Sequence, residues 1–405
     1  MTTATPADLH SRSVLAGYDP ALLAEAKVLV VGLGALGQNV VQNLSLLGVG
    51  QLMLVDFDTF EGHNATRSPF YPTHGEVARL GRGKAAVVAH RAAQVSTADS
   101  PAVYYSADLI QVLGDGAVSW ADIVVAAVDS MTARAWLAER CRVLGRPMIE
   151  GGFSGADFNL SAFAATAGAV CYRCGRPDRE SSMSCTAYAL AAEKAHIVPA
   201  IQTSAAVLGG YQAEQVVQLI HGRLDRLGWR SYGNVRRETL QTALLAVNDH
   251  CPGMHFPEPL LGTVRDLGPA PTLADFMRGV AAQFGSAGMQ LSEPVIPNLS
   301  CTSCKAPCLV QASESSWLVA PRCTECGGPW PRTEVFAPDS VMKIDTGDQL
   351  TDELASTPLA NIGLRAGASV AATLANGRSG LLRIADDILE CVERAVPLDR
   401  AATEL

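Results

Sequence analysis

Three glycines mark the first place where this chain could do chemistry. Gly32, Gly34 and Gly37 stand in G-x-G-x-x-G spacing behind Val28 to Val31, an apolar run short enough for a buried parallel strand. A helical pattern follows from Gln38 to Leu47, with Gly48 and Gly50 as a stop, and then a second strand from Gln51 to Val55. That strand ends on Asp56, 19 residues after Gly37. Glycines let the backbone approach a phosphate, a helix N-terminus offers free N–H groups, and a carboxylate at this distance reaches a ribose hydroxyl. The spacing therefore predicts a nucleotide site, with a purely structural tight turn as the competing reading.

Thiols mark the second place. The chain holds 11 cysteines, and Cys301-Thr-Ser-Cys304 and Cys323-Thr-Glu-Cys326 form two knuckles separated by 18 residues. This pattern predicts a zinc ribbon. A third knuckle, Cys171-Tyr-Arg-Cys174, has no second C-x-x-C of its own, and spacing alone allows it to share an ion with either later pair. Cys185 sits in a polar loop and is either a nucleophile or an inert thiol. A nucleophilic role needs a lowered pKa, and Arg176 and Arg179 lie close in sequence. Cys308 and Cys391 suit small apolar packing positions.

The kind of nucleotide is decided just past the second strand. Asp56-Phe-Asp58-Thr-Phe60-Glu61-Gly-His-Asn64-Ala-Thr-Arg67 resembles the D-x-D-x-V-E-x-S-N-L-N-R signature of the ThiF/MoeB/ubiquitin-activating-enzyme family. Both acids, the Glu, the Asn and the Arg match in spacing. His63, Ala65, Thr66 and Ser68 depart from it. An oxidoreductase using NAD(P) has no use for the Asn and Arg, whereas adenylyl transfer must neutralise charge there. The resemblance, carried by residues 9 to 255, implies ATP with Mg²⁺. It gives Asp56 and Asp58 to the nucleotide, Asn64 to the phosphate, and Arg67 and Lys84 to phosphate oxygens. Asp129, at the end of the buried strand Ala121 to Val128, would hold Mg²⁺, with a plain helix cap as its alternative role. A lysine such as Lys84 in a first helical turn is unfavourable by dipole unless an anion is near. Arg12, in the leader Leu9 to Leu23, matches an arginine that reaches a neighbouring subunit's site, or is merely solvated. The family's zinc site further implies that Cys251 joins Cys171 and Cys174. His255 would then be the fourth ligand in place of the usual cysteine. Cys185 falls where the family keeps an acceptor cysteine.

These residues need elements to hold them. At 405 residues, 48% apolar and with a mean hydropathy of +0.16, the chain should fold as several domains with a large core. The expected class is α/β: a doubly wound, mostly parallel, Rossmann-like adenylation domain with structural zinc, then a zinc ribbon and a small C-terminal domain. Its expected boundaries are 1–258 for adenylation, 259–297 for a helical linker, 298–334 for the ribbon and 335–405 for the tail. Within these, Val198 to Ile220 should be a long helix and Thr272 should cap another that runs to Phe284. A net charge of −9 with a pI near 5.4 argues against nucleic acid as a partner. No apolar run reaches bilayer length, and the first residues show no secretory h-region, so a cytoplasmic, membrane-free protein is expected. The implied activity is adenylation of the C-terminal carboxylate of a small ubiquitin-like (β-grasp) protein, followed by a thioester on Cys185 and hand-over to a conjugating enzyme. The alternative is adenylation of a sulfur-carrier protein or peptide without a thioester. A silent binding module is a weaker reading. A homodimer is expected on resemblance alone.

Overall fold

The leader forms two short helices, α1 (Ser11–Leu15) and α2 (Pro20–Glu25). Asp19 caps the second by accepting from Ala21 N–H at 2.9 Å. The apolar runs then become β1 (Lys27–Val31) and β2 (Gln51–Val55), each with four successive buried residues, as strands covered on both faces require. Between them α3 (Ala35–Leu47) stops at Gly48, whose left-handed φ of +83° closes the helix. These coordinates belong to a computed structural model that describes residues 9–98, 102–106, 114–129, 131–174, 199–248, 250–251, 255, 257–301, 303–313, 323, 325–328, 341–385 and 393–394.

Next come α4 (His74–Leu80), α5 (Lys84–Val95), β3 (Val103–Tyr105), α6 (Gly114–Trp120), β4 (Ile123–Ala126), α7 (Met131–Val143) and β5 (Met148–Ser154). The five strands pair in parallel in the order β3-β2-β1-β4-β5. Succession moves from β1 outward to β3 and then returns to β4 on the other side of β1. That reversal is the switch point at which open α/β sheets bind ligands. β6 (Asp157–Phe163), α8 (Gln202–Ile220), β7 (Trp229–Asn234) and β8 (Thr239–Leu244) follow, and the three strands extend the sheet antiparallel from β5. Strand β5 continues through Gly151 and Gly152 and turns only at Gly155. The sheet is parallel across its centre and antiparallel on this flank.

All of these elements but α6 belong to one unit, Met1–Ala107, Trp120–Pro257 and Val392–Leu405; the other holds Asp108–Ser119, and with it nearly all of α6, and Glu258–Cys391. The second unit contains β9 (Leu260–Val264), α9 (Leu273–Phe284), β10 (Ala287–Ser300), β11 (Pro307–Ser313), β12 (Val341–Asp345), α10 (Asp352–Ala355), β13 (Ser369–Leu374) and β14 (Ser379–Ile384). Its sheet runs β11-β10-β13-β14-β9, with β12 also on β10, around Phe276, Val280, Leu382 and Ile344. Thr272 caps α9 in a capping box with Asp275.

Residues 259–297, expected as a helical linker, therefore supply two strands and a helix to this sheet. Pro294 and Pro297 lie where the register of β10 breaks, between Gln290 and Val295 and between Ile296 and Asn298, as proline in a strand requires. The Cys301–Cys304 knuckle is the β10–β11 turn. The last strand, β15 (Glu393–Arg394), joins the first unit's sheet antiparallel to β3. No helix among the described residues is long and apolar enough to cross a membrane.

Candidate functional site

The three glycines do three different things. Gly32 has a φ of +86°, and a Cβ there would lie 2.7 Å from Ala127 O, beside the end of β4. A Cβ on Gly37 would lie 1.9 Å from Gly32 O, so α3 packs on its own loop with no room for a side chain. A Cβ on Gly34 would meet nothing within 4 Å. Gly34 is therefore the glycine left for a ligand. It is also the N-cap of α3, with no side-chain cap and no acid in the first turn. Free N–H groups and the positive dipole end are thus left for an anion.

Buried Gln38, which sequence reading missed, fastens this loop. Its Nε2 donates to Leu33 O at 2.8 Å, and its Oε1 accepts from Phe70 N–H at 3.0 Å. Its signal in sequence was a pair of amides, Gln38 and Asn39, at the start of a largely apolar helix.

Asp56 closes the loop from β2. Its Oδ2 accepts from Leu33 N–H at 2.6 Å and its Oδ1 from Asp58 N–H at 2.7 Å. Burial pushes its pKa up, against the pull of those two bonds and of Lys84. Lys84 opens α5, whose N-cap Gly83 also gives no side-chain cap. Its ammonium is buried against Asp58, Nζ to Oδ2 at 2.8 Å. The cation at a helix start is thus balanced by Asp58, and no bound anion is needed to explain it. A phosphate would have to share Lys84 with Asp58. Buried Asn64 accepts from Glu61 N–H at 2.8 Å and shapes the turn that carries Arg67. Arg67 gives one long bond, 3.4 Å, to His63 O and has no carboxylate partner among the described residues. Arg12 is exposed on α1.

Asp129 follows β4, exposed and without an ion pair among the described residues. Asp56 and Asp129 thus flank β1 from two sides, two strand spacings or roughly 10 Å apart. Arg134 holds the turn between β4 and α7. Its guanidinium pairs with Glu150 Oε2 on β5 at 3.0 Å and donates to Val128 O, the carbonyl before Asp129. Both partners are buried. Sequence reading missed this pair too; an arginine five residues after Asp129 was the available hint.

Cys171, Cys174, Cys251 and His255 come together with ligand atoms within 4.8 Å of one another. The Cys171 Sγ lies 3.7 Å from Cys174 Sγ, 3.5 Å from Cys251 Sγ and 3.7 Å from His255 Nε2. In the second unit Cys301, Cys304, Cys323 and Cys326 do the same, with Sγ separations of 3.8 Å (Cys301–Cys326) and 3.7 Å (Cys304–Cys323). Tetrahedral zinc with bonds of about 2.3 Å to sulfur sets its sulfurs about 3.8 Å apart, so both donor sets fit that ion. Cys171 and Cys174 share neither later pair. Burial pushes the Cys171 thiol up to about 12, while the Cys304 N–H lowers Cys301 to about 6. A bound cation would deprotonate either. Cys185, Cys391 and the two arginines near Cys185 lie outside the described residues, as does the side chain of Cys308.

Several known proteins are similar. Adenylyltransferase and sulfurtransferase MOCS3 of Bos taurus is 32% identical over 166 residues, 40% of this chain and 35% of that protein. Molybdopterin-synthase adenylyltransferase of Escherichia coli K12 is 27% identical over 217 residues, 52% of this chain and 80% of that protein. Ubiquitin-activating enzyme E1 2 of Arabidopsis thaliana is 32% identical over 145 residues, 34% of this chain and 13% of that protein. The match with MOCS3 thus spans about a third of that relative's length. Among solved structures, E. coli MccB with succinimide shares the fold at a TM-score of 0.51 and 18% identity, over 60% of this chain and 74% of that one. The profile of the ThiF family matches residues 16–251, more than half of the sequence, and by that match and this fold the chain belongs to the ThiF family.

Proposed function

We propose that this chain binds ATP with Mg²⁺ at the carboxyl ends of β1, β2 and β4 and adenylates the C-terminal carboxylate of a small protein. The observation that carries this is the open backbone of Gly34 at an uncapped helix start, between Asp56 past the end of one neighbouring strand and, past the other, Asp129, which has no ion pair among the described residues. A carboxylate oxygen attacks the α-phosphorus, the bond to the bridging oxygen breaks, and pyrophosphate leaves with that electron pair. The nucleophile is already ionised at neutral pH, so no general base is needed. The barrier is the approach of one anion to another, and positioned positive charge lowers it. Arg67 and Lys84 meet phosphate oxygens, with Arg12 from a second subunit of a homodimer. Asp58 and Asn64 hold the loop that carries them, and Asp56 takes the ribose. Asp129, with no cationic partner among the described residues, fits a Mg²⁺ ion, which would supply further neutralisation of the triphosphate.

The partner we propose is a ubiquitin-like protein ending in glycine, whose acyl-adenylate is then attacked by the Cys185 thiolate to give a thioester and AMP. A conjugating enzyme would accept that product. A second reading, adenylation of a sulfur carrier or peptide with no thioester, is favoured by the 80% coverage of molybdopterin-synthase adenylyltransferase against 13% of the ubiquitin-activating enzyme. ATP–pyrophosphate exchange that requires the partner protein tests the common step. Undiminished exchange in Asp129→Ala would refute the metal role. A thiol-labile adduct with the partner that survives in Cys185→Ala would remove Cys185 from the mechanism.

A further inference from the structure

Arg142, in the last turn of α7, is 4% exposed. Its Nη1 donates to Thr166 O at 2.8 Å, and its Nη2 donates to Ala169 O at 3.1 Å and Val170 O at 2.7 Å. These carbonyls line the turn that leads straight into Cys171. The same turn reaches the far ligand, since Gly168 N–H donates to His255 O at 2.9 Å. One guanidinium therefore fixes a segment bonded to both halves of the Cys171–Cys174–Cys251–His255 cluster.

The charge of Arg142 is harder to explain than its bonds. Burying a cation is costly unless an anion accompanies it. Carbonyl oxygens satisfy the donors but not the charge, and no carboxylate pairs with Arg142 among the described residues. What lies beside it is the thiol cluster. Three thiolates and a neutral imidazole around a divalent ion leave one net negative charge.

We propose that Arg142 is the countercharge of this metal centre and the positioning residue for its first knuckle. The inference rests on reading the cluster as a zinc site. Burial lowers the pKa of Arg142, and the Cys171 and Cys174 sulfurs act the other way, as neighbours of opposite charge do. The four-cysteine cluster offers a contrast. Its Cys304 and Cys326 are exposed, so water can screen its charge.

The test uses the full-length protein and measures zinc content and zinc release to a chromogenic chelator in wild type, Arg142→Gln and Arg142→Lys. Wild type should hold two equivalents. Outer partners of a metal site are typically worth about 10–100-fold in affinity. Arg142→Gln should weaken one equivalent by that factor and leave the other, at the four-cysteine site, unchanged. Arg142→Lys restores the charge without the fork, and should recover a large part of the affinity while releasing zinc faster than wild type. A purely structural arginine would not be rescued by charge. Wild-type release from both variants would overturn the inference while leaving the zinc reading intact. A zinc content that Cys171→Ser leaves unchanged, so that no ion sits at this cluster, would overturn both. If Arg142→Gln does not fold, Arg142→Lys decides alone, and release at the wild-type rate refutes the proposal.

Discussion

Arg134→Met is the sharpest test of how the site is held. Among the described residues, the substitution removes the one partner of Glu150 Oε2, while Glu150 Oε1 is already without one and the carboxylate is fully buried. Breaking such a pair from one side costs about 3–5 kcal/mol, because a charge is left stranded in a poorly polarisable interior. Pairing Arg134→Met with Glu150→Gln removes both charges, so the double variant should recover much of that loss, and a double-mutant cycle should show a coupling of about 2 kcal/mol or more. Urea unfolding of the first unit reads the stability. Function should suffer separately. Val128 O loses its donor, the turn before Asp129 loosens, and a displacement of about 1 Å at a reacting group can cost about 10²-fold in rate. Pyrophosphate exchange, measured below the unfolding transition of each variant, should therefore stay low even in the double variant. A single variant that costs under about 1 kcal/mol, or a double variant that regains both stability and exchange, would show that the pair neither stores that energy nor seats Asp129.

Gly37→Ala should destabilise strongly, since its Cβ would collide with Gly32 O, whereas Gly34→Ala should melt like wild type and bind ATP more weakly; calorimetry and nucleotide titration separate the two. Lys84→Met should lower exchange by on the order of 10²–10³ but change stability by under about 1 kcal/mol, because Asp58 is half exposed and can turn to water. Tyr18 donates to Glu214 Oε2 at 2.5 Å, which pushes its pKa from 10.0 up to about 12. Its folded value lies above the unfolded one, so the stability it lends is full below pH 10 and is lost as the pH rises toward 12. The melting temperatures of wild type and Tyr18→Phe should therefore converge over that window, and a constant gap would refute the assignment.

What the sequence disclosed follows from what sequence can encode. The glycine loop, Asp56 and Asp129 were legible because strand and helix lengths place them, and those lengths follow from apolar periodicity. Arg134, Gln38 and Arg142 were not, because their partners include backbone atoms, Val128 O, Leu33 O and Val170 O, which leave no mark in composition. Cys171 was ambiguous among three later sets of thiols, and only the chain path resolved it. The stretch 259–297 misled because only its helix has a clear start and stop in sequence, while its long strand is interrupted by register breaks that hold Pro294 and Pro297. Asp58 was legible as the second acid of the signature, but its pairing with Lys84 across 26 residues was not.

That pairing sharpens the case for catalysis over silent binding. Lys84 is occupied by Asp58, and Arg134 by Glu150. At the carboxyl ends of β1, β2 and β4, Arg67 and Asp129 remain without ion pairs among the described residues. A scaffold that only had to be stable could have let such charges drift toward each other, because even an exposed pair gains a few tenths of a kcal/mol. Keeping a cation and a carboxylate apart on different loops, each supported by buried neighbours that are themselves paired, makes physical sense when both must meet something else. Under the function proposed above, a triphosphate would answer the arginine and a divalent ion the aspartate. The half-exposed Asp58 would then be a partner that Lys84 could leave for a phosphate.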